Sequence, residues 1–466
     1  MADPAEVPSS ILIIGSGVFG LTTAYELALR PRYASTKITL LDRSPVPGPS
    51  EDAASVDSSR IIRSDYADPV YSRLAAKAQI EWRKTANASD LGGEGRYRQS
   101  GMVLVADPAA SSPSATPADP SKKSSLEYVQ QSYHNVISLV GEDGDKIIKE
   151  LPTSAAIQEH LGTPRAPGTW GYHNPLAGWA DAGEAMKHFT ARLQALNRVE
   201  FVSGTAARLN YSSTSAVTGA TLEDGRVLSA DLVVVAAGAW TSRLVDLEGQ
   251  VSATGQVVGY IDITPEELAV LSKMPVVLSF STGLFMIPPS GLQVKVARHG
   301  YGYIHPASVP HPNPSSSGES VVSLPVTHIT HPDFKLPEEG EDALRQAVRT
   351  IVPIPAIHDR PFVKTRLCWY TDTKTSDFIV CHHPNVKNLF VATGGSGHGF
   401  KFLPVLGEEI VNVLEGNGDK VFTEKWRWRG VKRDDNATNA YEHITNEDGS
   451  RGGIPGIMLN PPRAKL

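Results

Sequence analysis

The sequence predicts two domains: a discontinuous α/β domain of Rossmann type, and an α+β domain with a mostly antiparallel sheet. Three observations indicate this arrangement. A buried strand, a glycine turn, a helix and a second strand follow one another between residues 10 and 42. Strand and turn signals dominate from about 251 to 360. A strand, a glycine turn and a helix then return between 361 and 415, so we expect the first domain to be discontinuous in sequence.

The chain length sets the expected organisation. A chain of 466 residues is long enough for two or three compact units that each bury a core. The Pro, Ser and Ala content of residues 106–126 predicts a mobile surface insertion, and residues 309–320 and 453–466 have a similarly loose composition. We assign residues 1–100, 165–250 and 361–430 to the Rossmann-type domain, 101–164 and 251–360 to the second domain, and 431–466 to a C-terminal tail.

Composition argues against several classes of protein. The formal net charge of −6 provides no basic field for gripping nucleic acid. No run of about 18 apolar residues occurs, so we expect no membrane-spanning helix. The first ten residues, MADPAEVPSS, lack the basic start and apolar core of a secretion signal, and we expect the protein to stay inside the cell.

The cysteines and the C-terminal residues give two further expectations. Cys368 and Cys381 cannot form a disulfide framework and lie in no metal-ligand spacing, so we expect no metal site. Ala464, Lys465 and Leu466 form a conservative variant of the Ser-Lys-Leu address that peroxisomal import receptors bind. We therefore expect such a receptor as a partner and a peroxisomal location. The alternative is a cytoplasmic protein with a loose tail whose ending is accidental.

The first glycine turn, GSGVFG, predicts a dinucleotide site. Its glycines permit a tight turn and close approach of the backbone to a pyrophosphate, and the following helix N-terminus favours negative charge. Asp42, 22 residues after Gly20, is placed to accept hydrogen bonds from a ribose. The alternative is a turn without ligand, and the motif alone does not separate FAD from NAD. The turn consists of Gly15, Ser16, Gly17, Val18, Phe19 and Gly20.

A second glycine turn, GGSGHGFK at 394–401, follows an apolar strand and precedes a helical run. Four glycines at a strand-to-helix turn indicate that the backbone approaches another group closely, and the helix N-terminus favours an anion. A purely structural turn is the alternative. Cys368, in the apolar string TRLCWYT, is by itself most typical of a structural core residue.

Four motifs in one order carry a resemblance to a known family. They are SSRIIR at 58–63, GLQVKVARH at 291–299, TRLCWYT at 365–371 and GSGHGFK at 395–401. With them, the chain resembles the monomeric sarcosine oxidase and fructosyl amino acid oxidase (amadoriase) family of FAD-dependent amine oxidases. Pipecolate and saccharopine oxidases belong to the same wider group. The resemblance extends from about residue 10 to residue 430.

The resemblance implies a role for each matching residue. In the family, the cysteine at the position of Cys368 forms a thioether to FAD, and the lysine at the position of Lys295 helps oxygen to accept electrons. Arg63 and Lys401 match residues that clamp a substrate carboxylate, for which a guanidinium fork and an ammonium are suited. The remaining matches line the flavin or substrate cavity: Arg60, His299 and Tyr370.

The glycine turns and the resemblance together imply a full set of cofactor contacts. These are Gly15, Ser16, Gly17, Val18, Phe19, Gly20, Asp42, Arg43, Ser59, Arg60, Ala237, Gly238, Trp240, Cys368, Gly395, Gly397, His398, Gly399, Phe400 and Lys401.

The implied activity is oxidation of the C–N bond of a secondary amine or an N-methyl or cyclic amino acid, with O₂ as acceptor and an imine and hydrogen peroxide as products. A monomer is the family's usual form. Fructosyl amino acids, saccharopine and pipecolate stay open as substrates. Amadoriases carry a glutamate immediately before the histidine of the second motif, and Arg298 at that position argues against a fructosyl amine. An NAD-dependent amino-acid dehydrogenase and a non-catalytic flavin-binding scaffold are the rival functions.

Overall fold

The computed structural model describes residues 7–108, 122–313, 316, 318–430 and 444–459. Most of the predicted insertion at 106–126 lies outside these residues, as do Ala464, Lys465 and Leu466. The mobile insertion and the peroxisomal address therefore stay predictions. Within the described ranges, no helix is long and apolar enough to cross a membrane.

The described chain alternates strands and helices over most of its length. The helices are α1 (Val18–Leu29), α2 (Pro69–Trp82), α3 (Ser125–Val140), α4 (Gly144–Ile147), α5 (Ser154–Leu161), α6 (Ala182–Ala195), α7 (Thr241–Leu244), α8 (Pro265–Leu271), α9 (Glu338–Ile351), α10 (Leu406–Leu414) and α11 (Lys420–Lys425). The strands are β1 (Ser10–Ile14), β2 (Lys37–Asp42), β3 (Arg60–Ile62), β4 (Tyr97–Arg98), β5 (Met102–Ala106), β6 (Lys149–Leu151), β7 (Trp170–Asn174), β8 (Gly178–Ala180), β9 (Val199–Ser203), β10 (Ala206–Tyr211), β11 (Val217–Leu222), β12 (Val227–Ser229), β13 (Leu232–Val235), β14 (Ser252–Asp262), β15 (Val276–Ser279), β16 (Leu284–Ile287), β17 (Gln293–Arg298), β18 (Tyr303–Ile304), β19 (Pro306–Pro310), β20 (Glu319–Ser323), β21 (Lys364–Asp372), β22 (Ile379–His382), β23 (Leu389–Thr393) and β24 (Ile457–Met458).

A six-stranded sheet contains the first glycine turn. Its order is β22-β23-β13-β1-β2-β9, with β22 antiparallel and the other pairings parallel. The central strand β1 is a short apolar run, because a parallel strand covered on both faces has no solvent side. Helices α1 and α10 cover the sheet, and Leu21, Leu27 and Ile410 share one core. The strands come from stretches of the chain that are far apart in sequence.

A ten-stranded mixed sheet contains the other two motif strands. Its order is β24-β18-β14-β17-β16-β15-β5-β7-β6, and β21 also pairs with β14. Most of its pairings are antiparallel; β5–β15 and β18–β24 are parallel. The long strand β14 pairs with both β17, which carries Lys295, and β21, which carries Cys368. Lys295 and Cys368, from distant motifs, thus lie on the two strands that flank β14.

Helix α9 covers one face of this sheet. Glu338, Glu339 and Glu341 lie in its first turn, where negative charge complements the helix dipole. Its apolar side, including Leu344 and Val348, packs with Val294 and Val296 of β17. Because strand side chains alternate between faces, Lys295 and Ala297 must lie on the side away from α9.

Two local expectations differ from the structure. The loose stretch at 309–320 overlaps the ends of the paired strands β19 and β20. Residues 453–459 are not loose, because β24 pairs with β18 and Leu459 is buried in the core of the mixed sheet. Ile457 and Leu459 gain burial through this pairing with a distant strand, which composition does not reveal.

Candidate active site

An elongated cavity of about 480 Å³ runs between the two sheets. One end lies at the first glycine turn and β2, and the other lies at the second glycine turn, β17 and β21. Most of the predicted site residues line it: Gly15, Gly17, Val18, Phe19, Asp42, Arg43, Ser59, Arg60, Arg63, Ala237, Gly238, Trp240, Lys295, His299, Tyr370, Gly395, Gly397, His398, Gly399, Phe400 and Lys401. Ser16, Gly20 and Cys368 are absent from the residues that line it.

The first glycine turn forms a cradle that side chains would fill. Gly15 has φ +101°, and a Cβ there would lie 2.5 Å from the Ala236 carbonyl oxygen. At Gly20 a Cβ would meet the Gly15 carbonyl, so this glycine serves the packing of α1 on the turn rather than the cavity wall. Gly17 caps α1 without any side-chain hydrogen bond, and no acid occupies the first turn. The free N–H groups of α1 therefore suit a phosphate.

Two further observations fit a dinucleotide at this end. The Asp42 carboxylate accepts backbone N–H bonds from Ser16 at 2.8 Å, Ser44 at 3.0 Å and Ser50 at 3.2 Å, which hold it rigidly at the cavity wall. The buried Ser55 hydroxyl also lines the cavity and has no partner within the described chain. An unpaired buried hydroxyl is unfavourable unless a ligand satisfies it.

A buried ionic network lies at the middle of the cavity. The Lys295 ammonium donates to the Asp57 carboxylate at 2.9 Å and to the Ser59 carbonyl at 2.7 Å. Asp57 also accepts from the Arg60 guanidinium and from the Tyr260 hydroxyl. Burial alone would favour the neutral acid, but Lys295 and Arg60 hold the pKa of Asp57 well below its usual range. Burial lowers the pKa of Lys295 to about 8, a fall that Asp57 limits.

Cys368 lies beside this network. Its thiol is buried, and the Arg60 guanidinium donates to the sulfur at 3.2 Å. The next two residues of β21, Trp369 and Tyr370, line the cavity. The sulfur therefore lies beside residues that line the cavity, next to the positive charge of Arg60.

The far end of the cavity is strongly cationic. Arg63 is buried beside the rings of Tyr66 and Phe280, at 4.8 and 5.4 Å, and its Nη1 has no hydrogen-bond partner in the described chain. Lys401 is buried nearby. Burial, Arg63 and Arg451 lower the pKa of Lys401 well below its usual value. Such a site gains most from an anionic ligand, which would pair with both cations.

A chain of hydrogen bonds orients Lys401. Its ammonium donates to the Tyr66 hydroxyl oxygen at 2.8 Å, and Tyr66 lies 3.1 Å from His398 Nδ1. His398 Nε2 lies 2.8 Å from the Ser376 carbonyl, which can only accept, so Nε2 carries the proton and Nδ1 accepts from Tyr66. Burial and Lys401 lower the pKa of His398 well below its usual value, which agrees with this neutral form.

His299 joins the cavity to the C-terminal segment. Its Nε2 contacts the Arg451 guanidinium, and its Nδ1 lies 3.3 Å from the Tyr370 hydroxyl. Because a guanidinium only donates, Nε2 accepts and Nδ1 carries the proton. Arg451 also donates to Asp372 at 2.8 Å and to the Ser396 carbonyl at 2.7 Å. Burial, followed by Arg451, lowers the pKa of His299 well below its usual value.

Comparison with known proteins identifies the family. Residues 10–413 match the family model described as FAD dependent oxidoreductase. The chain belongs to this family. The first glycine turn did not separate FAD from NAD, and the family identifies the cofactor as FAD. The resemblance drawn from the four motifs is confirmed.

Individual relatives of this FAD-dependent oxidoreductase carry oxidase names. The chain is 32% identical to "Amino acid oxidase imqH" of Aspergillus flavus, over 87% of this chain and 93% of that protein. It is 29% identical to L-saccharopine oxidase of Schizosaccharomyces pombe, over 90% and 93%. Among solved structures, a modified fructosyl peptide oxidase from Aspergillus nidulans has a TM-score of 0.78 at 26% identity, with 97% of each chain covered. The protein is therefore an FAD-dependent oxidase of the class that acts on amino acids or amines.

Three residues of this oxidoreductase's cavity network were not predicted from the sequence. Asp57 precedes Arg60 by three positions. An acid this close to Arg60 and Arg63, both assigned through the resemblance, could have indicated it. Tyr66 follows Arg63 by three positions but belongs to no motif. Arg451 comes from the C-terminal segment, and nothing local in the sequence marks it. Each acts through partners that are distant along the chain.

The prediction that the charge of Arg298 disfavours a fructosyl amine is wrong. Arg298 is buried and donates to Glu339 of α9 at 3.0 Å, on the face of β17 opposite to Lys295. It is absent from the residues that line the cavity. The alternation of side chains along a strand places position 298 behind the sheet whenever position 295 faces the cavity. The charge at Arg298 therefore does not argue against a fructosyl amine.

Proposed function

We propose that this FAD-dependent oxidoreductase oxidises the C–N bond of an N-substituted amino acid, giving an imine and hydrogen peroxide. The observation that carries the proposal is the buried Arg63 guanidinium, with an unpartnered Nη1, beside Lys401 at the cationic end of the cavity. A substrate carboxylate would satisfy both side chains. N-methyl and cyclic amino acids, saccharopine-like and fructosyl amino acids all carry such a carboxylate.

The residues around this end support binding of a neutral amine. His299 is neutral, because burial and Arg451 lower its pKa, and its Nε2 is already occupied by Arg451. Tyr370 shares the cavity wall and closes the space next to Gly397, where a Cβ would lie 2.3 Å from the Tyr370 ring. With the carboxylate on Arg63 and Lys401, the amine end of the substrate would point toward the centre of the cavity.

The residues present fit FAD. The glycine cradle, the α1 N-terminus, Asp42 and Ser55 would hold its adenosine and pyrophosphate parts, and the second glycine turn would hold its ring. We propose that Cys368 is the covalent attachment point, since its buried sulfur accepts from the Arg60 guanidinium, which lines the cavity. When bound, FAD would supply the two-electron acceptor for the amine and would pass the electrons to oxygen.

Lys295 is the group best placed to favour the reaction with oxygen. Its ammonium is buried, lines the cavity, and is held in place by Asp57 and Ser59. A fixed charge of this kind stabilises negative charge that develops on oxygen. Arg60 would stay protonated beside it, because Asp57 raises the pKa of the guanidinium although burial opposes this.

A peroxide-coupled screen tests the proposed function. We expect purified protein to produce peroxide with secondary amino acids, and to lose activity when the same amines lack a carboxylate. Arg63→Met should raise KM strongly for the active substrate, and Arg63→Lys should recover part of the affinity. Peroxide production from amines without a carboxylate, at equal kcat/KM, would contradict the carboxylate role of Arg63.

Acid precipitation tests the covalent link. We expect a yellow pellet from the wild type and a colourless pellet with a yellow supernatant from Cys368→Ser. Cys381→Ser is the matched control, because Cys381 lies on the edge strand β22 and does not line the cavity. A wild-type pellet without colour would mean that FAD is held without a bond to Cys368.

A further inference from the structure

Two surface segments that are far apart in sequence form part of the rim of the cavity that fits FAD. The rim loop, residues 50–54, follows β2, and the rim turn, residues 327–331, follows β20. Ala54 of the loop lines the cavity and is exposed. Ile329 and Thr330 at the tip of the turn also line the cavity and are exposed. The cavity therefore opens to solvent between the two segments.

A buried hydrogen bond connects the rim turn to the rim loop. The Thr327 hydroxyl donates to the Asp52 carboxylate at 2.6 Å, and the two residues are 275 positions apart in sequence. Both side chains are buried. The backbone before the turn is also held, because the Trp369 Nε1–H donates to the Val326 carbonyl at 2.8 Å. The turn thus has a fixed base and an exposed tip beside the opening.

Asp52 links this contact to the wall of the cavity. Its carboxylate also accepts from the Arg43 guanidinium. Arg43 lies over the Trp240 ring at 4.1 Å, and both residues line the cavity. One buried carboxylate therefore joins a cation inside the cavity to a hydroxyl of the rim turn, and hydrogen bonds to an ionised group are among the stronger ones in proteins.

We propose that the rim turn is a clasp that closes the cavity over FAD, with Thr327 and Asp52 as its latch. FAD enters or leaves when the latch opens, and the latch forms again behind it. The clasp holds FAD independently of any bond to Cys368. Because no amine takes part in closure, the inference depends on FAD as the cofactor and not on the substrate.

The rate of FAD release measures the latch. FAD-loaded proteins carry Cys368→Ser, so that FAD is held without a covalent bond, and the fluorescence of released FAD is followed after dilution. Thr327→Val removes the hydroxyl but keeps the branched shape, and Thr327→Ser keeps the hydroxyl. We expect Thr327→Val to release FAD about ten-fold faster, as for the loss of a hydrogen bond to a charged group, and Thr327→Ser to release it at the parent rate.

A reversible cross-link tests the movement itself. Glu51 and His328 lie on opposite sides of the opening, and their exposed side chains are 3.2 Å apart. Glu51→Cys with His328→Cys, in a background of Cys368→Ser and Cys381→Ser, leaves one pair of cysteines to form a disulfide. We expect the oxidised protein to release FAD many-fold more slowly than the same protein after reduction with dithiothreitol. A comparison within one protein removes any effect of the substitutions on folding.

The two measurements can each overturn the inference. Equal release rates for Thr327→Val and Thr327→Ser would show that the hydroxyl is not a latch. Equal rates for the oxidised and reduced forms of the cross-linked protein would show that FAD passes without movement of the rim turn. Neither result touches the proposed function, because no amine is added. A protein that releases FAD as expected, but whose flavin no amine bleaches, would contradict the oxidase proposal alone.

Discussion

The Lys295 ammonium donates to the Asp57 carboxylate at 2.9 Å, and the two residues are 238 positions apart in sequence. Both side chains are buried. An isolated ammonium in such surroundings would lose its proton, whereas a carboxylate at hydrogen-bond distance favours the charged form. The positive charge in the cavity thus depends on a loop residue outside every recognised motif.

The reaction of reduced enzyme with oxygen should depend on the protonation of Lys295. Burial lowers the pKa of Lys295 to about 8, so the ammonium is present below that pH and is lost above it. We expect the second-order rate constant to fall as the pH rises through about 8. Asp57 is ionised throughout this range, and Arg60 stays protonated. Stopped-flow measurements on photoreduced enzyme give the profile, and Lys295→Met should be slow and flat; a flat wild-type profile would contradict the assignment.

Asp57→Asn should weaken both the charge on Lys295 and the fold. Removing one member of a buried ion pair costs about 3–5 kcal/mol, because the remaining charge is left without its partner. We expect a lower free energy of unfolding in urea, and slower reaction with oxygen at neutral pH as Lys295 becomes neutral. The exposed Asp143→Asn is a control that should change neither. An Asp57→Asn protein that reacts with oxygen as fast as the wild type would show that Asp57 does not maintain the ammonium.

Binding of a carboxylate should be accompanied by proton uptake. Burial, Arg63 and Arg451 lower the pKa of Lys401, and an anion beside it would raise that pKa again. At a pH between the pKa of Lys401 in the free enzyme and its higher pKa in the complex, the complex therefore holds more protons than the free enzyme. Calorimetric titration with propionate, in buffers of different ionisation enthalpy, measures the uptake. Lys401→Met should abolish it, and a wild type whose binding heat is independent of the buffer would disprove the prediction.

The pair formed by Arg298 and Glu339 should support stability without affecting the choice of substrate. Arg298→Glu places two acids together, and we expect the loss of roughly 1.5–3 kcal/mol of unfolding free energy, as for a charged hydrogen bond. The double change Arg298→Glu and Glu339→Arg should recover most of it. The ranking of amines by kcat/KM should stay the same in both variants. A changed ranking with unchanged stability would return Arg298 to the substrate site.

Much of the cofactor end could be predicted from the sequence because its determinants are contiguous. The predicted order of strand, glycine turn, helix and strand between residues 10 and 42 is confirmed by β1, α1 and β2. Glycines, an apolar run and an acid within about thirty residues specify the turn, the helix and the second strand together. The positions of Gly15 and Asp42 follow from short-range geometry.

The cationic end could be predicted only through resemblance. Arg63, Lys295 and Lys401 stand in different motifs, and charge alone would place each of them on the surface. The structure brings all three to one cavity and adds the residues that hold them. The sequence assigns residues 431–466 to a C-terminal tail, whereas Arg451 from this segment is buried against Asp372 and His299.

By itself, the sequence determined the dinucleotide turn, the order of the motifs and the class of chemistry that they imply. Tertiary structure alone decided which charges face the cavity: Lys295 does, and Arg298, three residues later, lies behind the sheet against Glu339. The physical reason is that each of these two buried cations is stabilised by a carboxylate beside it. Those partners are Asp57, in the loop before β3, and Glu339, in the first turn of α9, and no local pattern in the sequence encodes their proximity.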